Sequence, residues 1–255
     1  MDLSVVFAFL AGLFFGSFFL VVADRSAKNQ SFISGRSHCD NCQRILKWYE
    51  LFPLFSFIFL QGKCRTCHAN LSFWYPVSEV LMGIIFAIIF LTLKNASILL
   101  LSFYTLLLAS LFVIFVTDWR YGIIPVQSIF LAFISGIGIL ILNQSSFFSH
   151  VVSAIAAGGF FLAVFLLTRG RGMGFGDVLY SFVMGFILGF PGIIIGLYIA
   201  FLTGAILSLI LVLLKKKKLH GDTIPFGPFL VFGTILVMLW GNIFESIAKQ
   251  YFFLF

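Results

Sequence analysis

Eight apolar runs set the limits on what this chain can fold into, near residues 3–23, 75–93, 97–117, 123–142, 150–168, 176–190, 192–214 and 224–244. A helix rises about 1.5 Å per residue, so about 20 apolar residues cross roughly 30 Å of hydrocarbon, and each run approaches that length. Eight such helices take about 160 residues, out of 255 in the chain, and little remains for soluble structure. The composition agrees: 61% of residues are hydrophobic and 10% charged, where soluble domains have roughly 45–50% and about 25%. The expected fold class is therefore an all-α integral membrane protein of about eight transmembrane helices. Disordered, collagenous and secreted disulfide-scaffold chains do not carry apolar runs of this length and are excluded.

The formal net charge of +7 marks topology and not a nucleic-acid partner, because the basic residues follow the apolar runs. Residues 24–74 hold Arg25, Lys28, Arg36, Arg44, Lys47, Lys63 and Arg65. Arg120, then Arg169 and Arg171, then Lys215 to Lys218 occupy every second connection after that segment. Together these are 14 of the 16 basic residues, with only Lys94 and Lys249 opposite. The positive-inside rule then places residues 24–74 in the cytoplasm and both termini outside. The first run is expected to be a retained helix and not a signal peptide: no basic residue precedes it, Asp2 is acidic, and positive charge follows it.

Three parts are expected: helix one over residues 1–23, a small cysteine-rich cytoplasmic domain over 24–74, and a seven-helix core over 75–255. Some 50 residues bury too little surface to be comfortably stable alone, so the middle part calls for a metal or a disulfide. It contains all four cysteines, as the pairs Cys39/Cys42 and Cys64/Cys67 with 21 residues between them. Two C-x-x-C knuckles supply four thiolates for a tetrahedral Zn²⁺, and a cytoplasmic location disfavours the competing disulfides. His38 and His68 adjoin cysteines and are expected beside the metal or at the surface. The stretch Leu51 to Leu60 is too short to span, and is expected to lie in the membrane interface or against the helices. No internal repeat is evident. Small residues such as Gly12, Gly16, Ala154, Gly158 and Gly159 point to close helix packing.

Most of the nine carboxylates sit in connections or at termini, and two read differently: Asp118 in F-V-T-D-W-R-Y-G-I-I-P and Asp177 in G-M-G-F-G-D-V. A carboxylate within a membrane helix is costly and usually marks a functional site. Both lie at the cytoplasmic ends of their helices, at one membrane depth, and they meet if helices three and six are neighbours. Two carboxylates in one low-dielectric site share a proton, which is the chemistry of aspartic proteolysis. Each also has a plain structural reading: Asp118 as an interfacial cap paired with Arg120, and Asp177 as an N-cap. Gly174 and Gly176 before Asp177 form a candidate active-site loop, clear of side chains where an extended peptide would approach.

These residues resemble the type IV prepilin peptidases, membrane aspartic proteases of the G-x-G-D class. The likeness rests on Gly16-Ser17-Phe18 with Arg25, both C-x-x-C pairs with W-Y-E-L-F-P-L-F-S between them, and Y-P-V-S-E after them. It continues in Asp118 to Pro125, in Gly174 to Asp177, and in I-P-F-G-P-F-L over 224–230. The resemblance implies that Asp118 and Asp177 are the catalytic pair of a bacterial cytoplasmic-membrane enzyme. Its substrates would be prepilins or pseudopilins with a basic leader and an apolar helix. It also implies methylation of the new N-terminal amine with S-adenosylmethionine, for which the sequence shows no recognisable donor pocket. Val126 and Leu179 stand where the family usually has an acidic residue and a lysine, and the latter change puts charge-tuning of Asp177 in doubt. Two rival readings are an intramembrane protease of the presenilin kind and a proton-coupled transporter using the two aspartates. The first would need a Tyr-Asp pair deep in a helix, and the second would need interrupted helices in two matching halves.

Overall fold

The computed structural model describes residues 3–28, 30–31, 35–214 and 224–252. Lys215 to Lys218 and His220 lie outside them. Among the described residues nine α-helices follow in order: α1 Leu3–Ala27, α2 Phe55–Phe59, α3 Trp74–Thr92, α4 Ile98–Tyr121, α5 Val126–Leu142, α6 Phe147–Leu167, α7 Phe175–Leu188, α8 Gly192–Leu213 and α9 Gly227–Phe252. A short 3-10 turn, Trp48–Leu51, precedes α2. The all-α expectation holds, and the four cysteines fall between α1 and α3. Every apolar run is helical, but among the described residues only α1, α3, α4, α6 and α8 are long and apolar enough to cross a membrane. Val126–Leu142, Phe175–Leu188 and Gly227–Gly241 are shorter apolar helices, so five of the eight expected crossings are matched in length.

The boundaries of the shorter helices have local causes. Pro125 caps α5, where its missing amide leaves nothing unpaired. Gly189, at φ +63°, ends α7 just before Pro191. Trp240, at φ −131° and ψ 18°, kinks α9 near its middle.

The chain divides into two compact units between Thr105 and Leu106. In the first, α1 packs along α3. A Cβ on Gly12 would stand 2.6 Å from the Met82 carbonyl oxygen, and one on Gly16 would stand 2.5 Å from that of Ser78, so only glycine lets these backbones come together. In the second, α7 is the central element, packed on α5, α6, α8 and α9. Gly158 on α6 lies against Phe182 of α7, as the small-residue pattern suggests, whereas Gly159 faces open space. The bond between Tyr180 and Thr234, both fully buried, links α7 to α9 with 2.9 Å between their hydroxyls.

Candidate functional site

Asp118 belongs to the last turn of α4, which runs on to Tyr121 and ends at Gly122, φ +65°. Its side chain is buried, at 6% exposure. Oδ2 accepts the backbone amide of Gly227, the first residue of α9, at 2.8 Å. Arg120, two residues on, lies over the ring of Tyr121.

Asp177 is the third residue of α7, not its cap; Gly174 holds the cap position. Its Oδ2 reaches back to accept the Gly174 amide at 3.1 Å, satisfying a donor that a helix start leaves free. Capping and burial therefore coincide in one residue. Asp177 is 8% exposed, and its other oxygen, Oδ1, is buried without a hydrogen-bond partner. A buried carboxylate oxygen without a donor is costly, and such exceptions concentrate where chemistry is done.

Ile124, in the connection after α4, gathers these elements. A Cβ on Gly176 would lie 3.0 Å from the Ile124 side chain, and one on Gly227 would lie 3.1 Å from it. The end of α4 and the starts of α7 and α9 thus meet around one aliphatic side chain, close enough for the charge of Asp177 to act on Asp118. The glycine loop differs from its expected role. Gly176 makes room for Ile124, and a Cβ on Gly174 would sit at an ordinary 3.5 Å from Asp177 Oδ2. The glycine that contacts a carboxylate most closely is Gly227, marked beforehand only by the family likeness of I-P-F-G-P-F-L.

The four cysteines form a second centre. All four Sγ atoms lie within 4.8 Å of one another. Zn–S bonds of about 2.3 Å at tetrahedral angles require S···S edges of about 3.8 Å, and Cys39 and Cys67 stand 3.8 Å apart. The thiols are free, and the arrangement fits a metal ion. The sequence showed no repeat, yet the two knuckles are copies. The Cys39 amide donates to Arg44 and that of Gln43 to Cys39, just as the Cys64 amide donates to Ala69 and that of His68 to Cys64. Gln43 and His68 share positive φ, 56° and 55°, and the bridges His38–Ile45 and Lys63–Asn70 close the two loops alike.

Amides of Cys67 and Thr66 hold the Cys64 thiol down to about 6, and the Ala69 amide lowers Cys67. Cys42 in the same cluster is raised to about 11, its bond from the Arg44 amide outweighed by burial and the neighbouring thiols, so the cluster keeps a proton there that a metal would displace. His38 and His68 are outside the thiol cluster, and His38 Nδ1 lies 3.2 Å from the Arg36 carbonyl. Glu50 braces the first knuckle: it accepts Arg44 through both oxygens, at 2.7 and 3.2 Å, and the Lys47 amide at 2.8 Å. The Arg44 guanidinium holds its carboxyl below the usual range.

Comparison with known proteins follows this division. Residues 10–93, with both knuckles, match the bacterial peptidase A24 N-terminal domain, and residues 105–209, with both aspartates, match the type IV leader peptidase family. A prepilin leader peptidase/N-methyltransferase of Bacillus subtilis strain 168 is 34% identical over 94% of this chain and 95% of its own. The chain belongs to the type IV leader peptidase family. Another relative with the same description, from Aeromonas salmonicida, is 30% identical over 85% of this chain and 74% of its own. A third, from Legionella pneumophila, is 29% identical over 85% and 75%. No solved structure matches. As a leader peptidase family member with several span-length apolar helices, the chain is a multi-pass membrane protein.

Proposed function

We propose that this protein is a membrane aspartic endopeptidase that removes the basic leader of type IV prepilins or pseudopilins, with Asp118 and Asp177 as its catalytic pair. One observation carries the reading: two buried carboxylates, each tied through Oδ2 to a backbone amide, stand on helix ends that gather around Ile124. Their family relatives are named for the same activity.

In this reading one carboxylate is ionised and its partner carries a proton, and the titration belongs to the pair. The ionised member takes a proton from water as the water oxygen bonds to the scissile carbonyl carbon. The protonated member gives its proton to the carbonyl oxygen. As the tetrahedral intermediate collapses, the C–N bond breaks, the leaving amine takes up the proton that came from water, and the former carbonyl oxygen returns its proton to the second carboxylate, restoring the pair. Oδ1 of Asp177, buried with no donor of its own, is the oxygen offered to the proton the pair shares. The amides of Gly227 and Gly174 hold the opposite oxygens still.

The distribution of basic residues supports a cytoplasmic position for this pair and for the cysteine domain. Cys39, Cys42, Cys64 and Cys67 would hold a structural Zn²⁺, which ties the knuckles together and takes no part in hydrolysis. Methylation of the freed amine, with S-adenosylmethionine as donor, rests on the relatives' names and the sequence resemblance, and no residue of this chain is tied to the donor.

The test is cleavage of a prepilin by the purified protein in detergent. Asp118→Asn and Asp177→Asn should each lower kcat by about 10²-fold or more, the range for a lost acid or base. Cleavage by either variant at the parental rate removes that residue from the pair.

A further inference from the structure

The pairing of α1 with α3 provides a depth scale for whatever is attached to it. Gly12 lies against Met82 and Gly16 against Ser78, so the helices are antiparallel, four residues forward on one matching four back on the other. On this register Ala23, the last apolar residue before Asp24 and Arg25, is level with the residues just before Trp74. Both helices leave the apolar layer at one height.

The turn between the 3-10 turn and α2 lies well inside that height. Phe52 packs edge-on against Phe14, with 5.4 Å between ring centroids, and Phe14 is nine residues before Ala23, about 13 Å of helix. The Leu54 amide donates to Glu79 Oε2 at 2.8 Å, five residues into α3, or about 7 Å. Phe57, whose ring meets Phe73 at 6.3 Å, brings the chain back to the edge.

Irregular backbone at such depth must satisfy its donors without water. Pro53 has no amide to satisfy. Leu54 gives its amide to Glu79, Phe55 to the Pro53 carbonyl at 2.6 Å, and Ser56 to the Phe52 carbonyl at 3.1 Å. This explains a buried carboxylate otherwise out of place on a membrane helix: Glu79, 5% exposed, is the acceptor the turn requires. The outward side is apolar, with Phe55 57%, Ile58 69% and Phe59 82% exposed. Lys47 on one flank and Lys63 and Arg65 on the other suit the headgroup layer.

We propose that residues 51–60 form a re-entrant hairpin seated among lipid acyl chains, with Glu79 as its latch, so that the cysteine domain is held to the membrane by lipid as well as by its two flanking helices. The idea concerns the first unit alone and is independent of the catalytic reading.

The full-length protein in phospholipid nanodiscs tests it. Benzoylphenylalanine is placed at Phe55, at Phe7 on α1 (63% exposed) as a lipid-facing reference, and at Ile45 on the first knuckle (52% exposed). On irradiation Phe55 should give a phospholipid adduct on acyl carbons at a yield comparable to that of Phe7, and Ile45 should give none. Glu79→Leu should lower the Phe55 adduct about tenfold or more, because it leaves an amide unpaired in hydrocarbon. Glu79→Gln, which keeps an acceptor, should restore it. An adduct on headgroup or glycerol carbons only, or no adduct at Phe55 while Phe7 reacts, overturns the hairpin. A parental yield in Glu79→Leu overturns the latch. If Glu79→Leu fails to insert, the comparison of Phe55, Phe7 and Ile45 in the parental background decides alone.

Discussion

Gly227 donates its amide to Oδ2 of Asp118, joining the start of α9 to the end of α4 across 109 residues of sequence. A backbone donor cannot swing away or change its own protonation, so the carboxylate is held by the fold itself. A side chain at this position would push that carboxylate aside. A Cβ at position 227 would stand 2.6 Å from Oδ2 and 3.1 Å from Cγ of Asp118. Gly227→Ala should therefore displace the carboxylate and lower kcat for prepilin cleavage about tenfold or more, as misplacement of a reacting group does. The protein should still insert and accumulate. Steady-state kinetics in detergent, normalised to the amount of inserted protein, checks this.

The glycines before Asp177 should respond in graded fashion. At Gly174 a new Cβ makes only ordinary contact, and the φ of −77° suits any residue, so Gly174→Ala should cleave near the parental rate. At Gly176 it would press on Ile124 at 3.0 Å, and alanine there should give an intermediate loss. An order of kcat running Gly174→Ala, Gly176→Ala, Gly227→Ala, from fastest to slowest, follows from the distances. Equal losses at positions 174 and 227 would contradict it.

Much of this site was legible in the sequence, because carboxylates and paired cysteines are conspicuous in so apolar a chain. The four thiols come together as their paired spacing implied, and Asp118 and Asp177 are both buried at helix ends. What hydropathy missed is hydrogen bonding. It stopped the third run at residue 117, whereas α4 continues through Trp119 and Arg120 to Tyr121, since backbone pairing does not end where side chains turn polar. It assigned clearance for substrate to Gly174 and Gly176, because spacing alone cannot say that Ile124 fills the room beside Gly176. Gly227 was invisible for a related reason: its contribution is an amide, which every residue but proline possesses. The duplicated knuckles share backbone geometry but few side chains, and so read as no repeat.

Tyr180 and Thr234 should act as one unit. The Thr234 hydroxyl also lies 2.8 Å from the Leu230 carbonyl, which can only accept. It spends its single proton there and takes the Tyr180 proton in return. Tyr180 is one helical turn beyond Asp177, and Thr234 is two turns beyond Gly227, so this bond ties the two helices that position the carboxylates. Tyr180→Phe should cost about 1 kcal/mol of stability and lower kcat more than it changes KM. Thr234→Val should do the same, and the double variant should lose little more than either single one. Thr234→Ser should behave as the parent. Independent, additive losses in thermal melts and in kcat would show that the two side chains do not act through each other.

The cysteine centre should depend on metal and on Glu50 in separable ways. Elemental analysis should find about one zinc per chain, since four thiolates at these separations complete a structural site. Serine at Cys39 or Cys64, both buried, should abolish retention of the metal. Strong chelation should likewise unfold the knuckles, visible as faster amide exchange over residues 37–46 and 62–71, where the two loops close on themselves. Prepilin cleavage should persist, because the hydrolysis is assigned to Asp118 and Asp177 and asks nothing of the metal. Glu50→Ala keeps every thiol but leaves Arg44 without its carboxylate, and loss of charge-assisted hydrogen bonds costs about 2 kcal/mol. That variant should bind zinc at the parental stoichiometry yet exchange its first knuckle faster than its second. If instead both knuckles loosen equally, Glu50 braces the domain as a whole and the two loops are not separately supported.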